Sequence, residues 1–234
     1  MITIFTFLCY FYSMNNTLKI ILFSILVIIL LCAAVFGLSK IKFDEFHKAS
    51  IILIVDSSAS NQKMLPEQKR TIQQLCSMLD PEDNIKMLRV SETSYLIYDG
   101  TPQNGSKIRK SMEKFTKIDS EEYGTAYGLS LKKAFNHALN MKKSGYIPAV
   151  VVIGDLENEG KVEDQINWET LPDEVQQVKD QTGNFSMMFL FAGPEKLDMV
   201  KEKLSPVLGE DHLIIGTEIT ADKELRKFLS AIGR

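Results

Sequence analysis

The chain has 234 residues, enough for one medium domain with an appendage, and its 45% hydrophobic and 24% charged residues are ordinary for a globular protein. It carries 27 basic and 30 acidic residues with no basic stripe, which argues against nucleic acid as a partner. Cys76 is the only cysteine beyond the N-terminal segment, so no disulfide framework is available there.

The first distinct element is the run "IILFSILVIILLCAAVFGL", residues 20–38, which has no charge and a single serine. As a helix rising about 1.5 Å per residue it would span about 30 Å, the thickness of a bilayer core. A buried core helix of this length would show a polar face, so the run is read as a transmembrane anchor. It exceeds the apolar core of a signal peptide, and no small-x-small cleavage site follows it. The expected organisation is a head over 1–19, an anchor over 20–38, a charged tether over 39–49 and a domain over 50–234. The head "MITIFTFLCYFYS" is itself apolar, and Met14 offers an alternative start ahead of Lys19. Two signals disagree on orientation. Lys40, Lys42 and Lys48 favour a cytoplasmic domain, whereas a very short head favours an extracytoplasmic one. The expectation carried forward is a single-pass membrane protein with an extracytoplasmic domain. With the charges of the head and tether set aside, that domain holds 23 basic and 28 acidic residues.

From residue 50 strands and helices alternate. "SIILIVD" is a short apolar, β-branched run, hence a buried strand. Pro66 suits the first turn of a helix in which Ile72, Leu75, Cys76 and Leu79 form one apolar face, which makes Cys76 a core residue. "NIKMLRV" and "TSYLIYDG" read as two strands about a tight turn. Helices are expected over 106–117, 125–143 and 172–180, then about Leu197, Val200 and Leu204, and finally about Leu225, Phe228, Leu229 and Ile232. "IPAVVVIGD", "FSMMFLF" and "HLIIG" supply three more strands. The pattern predicts an α/β fold: a doubly wound, mostly parallel six-stranded sheet with one antiparallel edge strand and helices on both faces. Ligands of such sheets bind beyond the carboxyl ends of strands, where Asp56 and Asp155 fall.

"DSSAS", residues 56–60, follows the first strand directly. Alternate side chains of such a loop can point at one position, and oxygen-only donors suit a hard cation such as Mg²⁺ or Mn²⁺. The bland alternative is a set of turn and capping residues. A cation held largely by neutral hydroxyls keeps excess charge and attracts a carboxylate from outside, and no general base is evident beside it.

These residues resemble the D-x-S-x-S motif of von Willebrand factor type A (VWA) domains, the metal-ion-dependent adhesion site or MIDAS. "YGTAYGLSLKKAF" is similar to the family's threonine loop, and "VVVIGDLENEG" to its strand-end aspartate. The resemblance covers about Ala49 to Arg234. It implies a Rossmann-like VWA fold and a Mg²⁺ (or Mn²⁺) site formed by Asp56, Ser58, Ser60, Thr125 and Asp155. It further implies a non-enzymatic role in binding a protein partner that presents a carboxylate to the metal. Ala59 stands where the family often has glycine, Leu156 where it usually has glycine, and Asn61 where it often has methionine. These departures leave open a purely structural VWA domain with a decayed metal site.

A rival enzyme reading uses the same residues. Phosphohydrolases of the haloacid dehalogenase type also place a nucleophilic aspartate at a strand end, and "GDLENE" resembles their later acidic loop. Ser58, however, occupies the position of their general acid. His47, His137 and His212 have no metal-ligand spacing. Trp168, in the acidic stretch after Asp155, reads as a loop anchor or as a specificity residue.

Overall fold

The computed structural model describes residues 48–58, 61–116, 124–157, 159 and 161–234, together with Val27. The chain divides into two units, Met1–Phe46 and His47–Arg234, and everything below belongs to the second. The expected anchor over 20–38 lies outside the described residues apart from Val27. Among the described residues no helix is long and apolar enough to cross a membrane.

Six strands form one sheet: β1 (Ala49–Asp56), β2 (Asn84–Val90), β3 (Ser94–Gly100), β4 (Ile147–Ile153), β5 (Ser186–Leu190) and β6 (Leu213–Gly216). Their order is β3-β2-β1-β4-β5-β6. All neighbours run parallel except β2 and β3. The expected antiparallel edge is therefore β3, with a bulge between Met87 and Leu88 in its pairing to β2. Every residue of β1 and of β4 is buried. These two strands sit mid-sheet with helices on both faces, which is why their sequences are unbroken apolar runs rather than alternating ones.

Odd positions of β1 (Ile51, Leu53, Val55) face a core built with α1 (Leu65–Met78), α2 (Gly105–Met112) and α6 (Ala221–Ala231). Even positions (Ile52, Ile54) face a second core built with α3 (Tyr127–Lys143), α4 (Leu171–Thr182) and α5 (Pro194–Leu208). The period-two alternation of a strand thus feeds two cores from one segment. Pro66 lies in the first turn of α1, where its missing N–H costs nothing. Cys76 packs in the first core, and burial pushes its thiol up to about 12, so it is a core residue rather than a nucleophile.

Two boundaries differ from the sequence expectation for a visible reason. The helix expected from residue 125 starts at Tyr127. Ala126 has φ −89° and ψ 58°, and the N–H groups of Thr125 and Ala126 donate to Glu159 O (2.6 Å) and Ser91 O (2.8 Å). These long-range bonds hold Thr125 in a loop. The helix expected over 106–117 ends at Met112 and tightens into a 3-10 turn, Glu113–Thr116.

The chain leaves β1 towards β2 on one side, while β4, β5 and β6 extend the sheet on the other. The reversal falls between β1 and β4. Their carboxyl ends, at Asp56 and just before Asp155, flank the crevice it creates.

Candidate metal centre

Asp56 is the last residue of β1 and is fully buried. Its Oδ1 accepts the Ser58 backbone N–H at 2.7 Å and its Oδ2 accepts the Tyr127 hydroxyl at 2.9 Å. Both donors are neutral, and no ion pair reaches Asp56 among the described residues. Burial pushes the carboxyl up to about 6. The Ser58 N–H pulls it down, and the neighbouring charge of Asp155 adds to the rise.

Ser57 is committed to the neighbouring strand. Its N–H donates to Val90 O (3.1 Å), and its Oγ accepts from Arg89 Nε (2.8 Å). Ser58, the next residue, is also buried. Ala59 and Ser60 lie outside the described residues, so Ser60 is not placed. Asn61 closes the loop: its side-chain amide donates to Asp56 O at 3.4 Å and its N–H to Ser58 O at 3.2 Å. The residue that departs from the family's frequent methionine is thus a loop fastener here.

Thr125 is buried in the segment that leads into α3, held by the bonds to Glu159 and Ser91 described above. Two residues on, Tyr127 ties three elements together. Its hydroxyl donates to Asp56 and accepts the Leu156 N–H at 3.3 Å. Burial, and then the charges of Asp56 and Asp155, drive its hydroxyl well above the ordinary range and keep it a donor. Asp155 follows β4, and its Oδ1 accepts the Glu157 N–H at 2.9 Å.

Leu156, where the family has glycine, adopts φ 60° and is buried in the second core. It keeps the left-handed backbone a glycine would supply, at a strain of about 1–2 kcal/mol. Gly154 is constrained by space. A Cβ there would lie 2.0 Å from Tyr127 Oη and 2.5 Å from Asp56 Cβ. Three residues outside the D-x-S-x-S pattern therefore shape the site: the side chains of Tyr127 and Asn61, and Gly154 through its lack of one. The available signal was the "YGLS" start of α3 and the glycine directly before Asp155.

The fold brings Asp56, Ser58, Thr125 and Asp155 to one end of the sheet, on the β1–α1 loop, the segment before α3 and the β4 end. The donors are two carboxylates and two hydroxyls, which suits a hard cation. Among the described residues no group of three or more His, Cys, Asp or Glu side chains forms a separate metal cluster. His137 and His212 serve elsewhere: His137 Nδ1 lies 3.0 Å from Lys86 Nζ, and His212 Nδ1 lies 2.9 Å from Ser186 Oγ. Trp168 is half-buried against the second core, which makes it a loop anchor.

No family model and no curated protein matches the sequence. Solved structures do match in fold. One is a von Willebrand factor type A protein from Catenulispora acidiphila (16% identity, TM-score 0.55), with 80% of this chain and 43% of that one covered. Another is proximal thread matrix protein 1 from the mussel byssus, with a zinc-occupied MIDAS motif (12% identity, TM-score 0.56), covering 79% and 48%. A third is an aerotolerance-related membrane protein from Bacteroides fragilis (15% identity, TM-score 0.50), covering 76% and 99%. The chain spans less than half the length of the first two. With the sheet order, the single antiparallel edge and these matches together, the fold is that of a von Willebrand factor type A domain.

Proposed function

We propose that this domain binds a protein partner through a divalent cation, Mg²⁺ or Mn²⁺, held by Asp56, Ser58, Ser60, Thr125 and Asp155, and that it is not an enzyme. The observation that carries the reading is Asp56: a fully buried carboxylate whose two oxygens are held by neutral donors, with a second carboxylate beside it. Burying a carboxylate is costly without a compensating charge, and a cation in the crevice supplies one. The hydroxyl donors leave that cation with residual positive charge for a partner's carboxylate. Leu156 keeps the glycine-like backbone, which favours a working site over a decayed one. Asp56 is poorly disposed as a phosphoryl nucleophile, being buried with both oxygens engaged.

The zinc-occupied motif of the mussel protein supports metal binding by this fold. We further propose that residues 20–38 anchor the protein in a membrane, with the domain extracytoplasmic. That reading rests on the uncharged run itself, and the Bacteroides fragilis relative is also described as a membrane protein.

The test is thermal unfolding of the full chain in chelator and in excess Mg²⁺ or Mn²⁺. A cation at about 100 times its Kd stabilises by about 2.7 kcal/mol, and Ser58→Ala and Asp155→Ala each remove most of that gain. An unchanged melting temperature in both metals overturns the assignment. Labelling an engineered surface cysteine in intact cells with an impermeant thiol reagent tests the orientation.

A further inference from the structure

Two of the largest exposures of apolar side chains among the described residues occur at the same end of the sheet as Asp56: Val162 at 82% and Ile219 at 94%. Among the described residues the non-glycine positions with left-handed backbone are Leu156 (φ 60°) and Phe191 (φ 73°), and both lie at this end, just past β4 and β5. Such strain concentrates at functional surfaces.

Within this end a cleft of about 370 Å³ opens between the first turns of α3 and α4 and the 161–167 segment. Leu131, Ile166 and Leu171 give it an apolar floor, and Glu163, Glu174 and Lys132 stand around it. Close packing builds it. The 161–167 segment rests on Gly128, where a Cβ would lie 2.0 Å from Gln165 O. Gly128 directly follows Tyr127, whose hydroxyl holds Asp56. The cleft wall thus begins at the residue next to the one whose hydroxyl fastens Asp56.

Its lining is acidic on balance. From Asp155 to Glu169 the chain has six carboxylates and one lysine. Glu157 and Glu169 are paired with Lys196 and Lys203. Glu163 is exposed and in no ion pair among the described residues, and Glu174 takes only the Thr170 hydroxyl at 3.2 Å. Lys132 also lines the cleft without an ion pair to either carboxylate among the described residues, so the three charged lining residues sum to one net negative charge.

We propose that this cleft is a specificity subsite for the protein partner, and that it takes one long basic side chain, arginine or lysine. That side chain comes from the same segment that offers its carboxylate to the metal. The aliphatic stem packs on Leu131, Ile166 and Leu171 while the charged head meets Glu163 and Glu174. The inference rests on the metal-site reading above.

Two synthetic peptides that differ at one position test it. Each carries a central aspartate, followed three residues later by arginine in one and by glutamine in the other. Binding to the full chain is read by fluorescence anisotropy with Mg²⁺ or chelator. The arginine peptide should bind about tenfold more tightly in Mg²⁺, and Glu163→Gln with Glu174→Gln should erase that difference. Equal binding of the two peptides, binding of neither, or an unchanged difference in the double variant overturns the subsite. The Mg²⁺ shift in melting temperature separates the two failures. The double variant retains it if only the subsite is wrong, whereas its absence from the unmodified chain means that the metal reading itself has failed.

Discussion

Among the described residues each end of the sheet buries one aspartate, and the two are treated differently. At the end where β1 and β2 begin, Asp83 is 1% exposed and accepts the Ala49 N–H at 2.7 Å and the Asp80 N–H at 2.9 Å. It is also paired with the guanidinium of Arg234, itself nearly buried and bonded to Asp80. At the opposite end Asp56 is 0% exposed and is held by neutral donors, the Ser58 N–H and the Tyr127 phenol among them. One buried charge is completed by the chain itself. The other has the hydrogen bonds that fix its position without a countercharge. Full pairing is how a structural carboxylate is normally kept. Position without countercharge suits a carboxylate that awaits a cation from solution.

Removing the completed carboxylate should have the largest effect. Asp83→Ala leaves the nearly buried Arg234 guanidinium with Asp80, itself half-exposed, as its remaining carboxylate and orphans the Ala49 and Asp80 N–H groups, so it should destabilise by about 3 kcal/mol in urea unfolding. A loss under about 1 kcal/mol would mean that Arg234 relaxes into water and that the two ends differ little in how they hold a buried carboxylate.

Removing the charge of the other carboxylate should act in the opposite direction. Asp56 has an ordinary value of 3.8 when unfolded and about 6 when folded, with burial as the main cause. The folded state therefore holds an extra proton between these values. Its contribution to stability is full below about pH 4 and is lost as pH rises through 6, a change on the order of 3 kcal/mol. In chelator the protein should thus lose stability between pH 4.5 and 7 on Asp56's account, and Asp56→Asn should remove that component. Mg²⁺ should restore more stability at pH 7 than at pH 5, because at pH 5 it must first displace the proton. An equal Mg²⁺ effect at both values would take Asp56 out of the ligand set.

These contrasts also mark what the sequence could and could not convey. The strands that position the site were legible because β1 and β4 are continuous apolar runs, and Asp56 and Asp155 because each ends or follows such a run. Asp83 was not, since "DPEDN" reads as a turn, and its partner Arg234 lies 151 positions away. Tyr127 read only as part of a helix start, because its hydrogen bond to Asp56 crosses 71 residues. The boundary at Thr125 was misplaced for the same kind of reason: backbone bonds to Glu159 and Ser91 override the local helical pattern. Periodicity reports which face of an element is buried. It does not report which buried polar group will meet which.

Gly154→Ala sharpens the contrast from the steric side. The new Cβ would collide with Tyr127 Oη and Asp56 Cβ, so the Asp56–Tyr127 bond must break or β4 must shift. A cost of about 2–3 kcal/mol is expected in urea unfolding, with loss of the Mg²⁺ shift. A variant that unfolds normally and still responds to Mg²⁺ would show that the crevice has slack.

Tyr127→Phe is the mildest probe and separates holding Asp56 from binding the cation. The ring stays in the second core, so packing is preserved, but the bonds to Asp56 Oδ2 and the Leu156 N–H are lost. In chelator the cost should be about 1–2 kcal/mol at pH 7, where Asp56 is ionised, and smaller at pH 5, where the protonated carboxyl needs the donor less. In saturating Mg²⁺ the cost should shrink, because the cation takes over stabilisation of the freed oxygen. The phenol would then be a positioning residue that keeps an uncompensated carboxylate in place until the metal arrives. A cost that is the same with and without Mg²⁺ would instead make Tyr127 a purely structural pin, on the same footing as the Asp83–Arg234 pair at the other end.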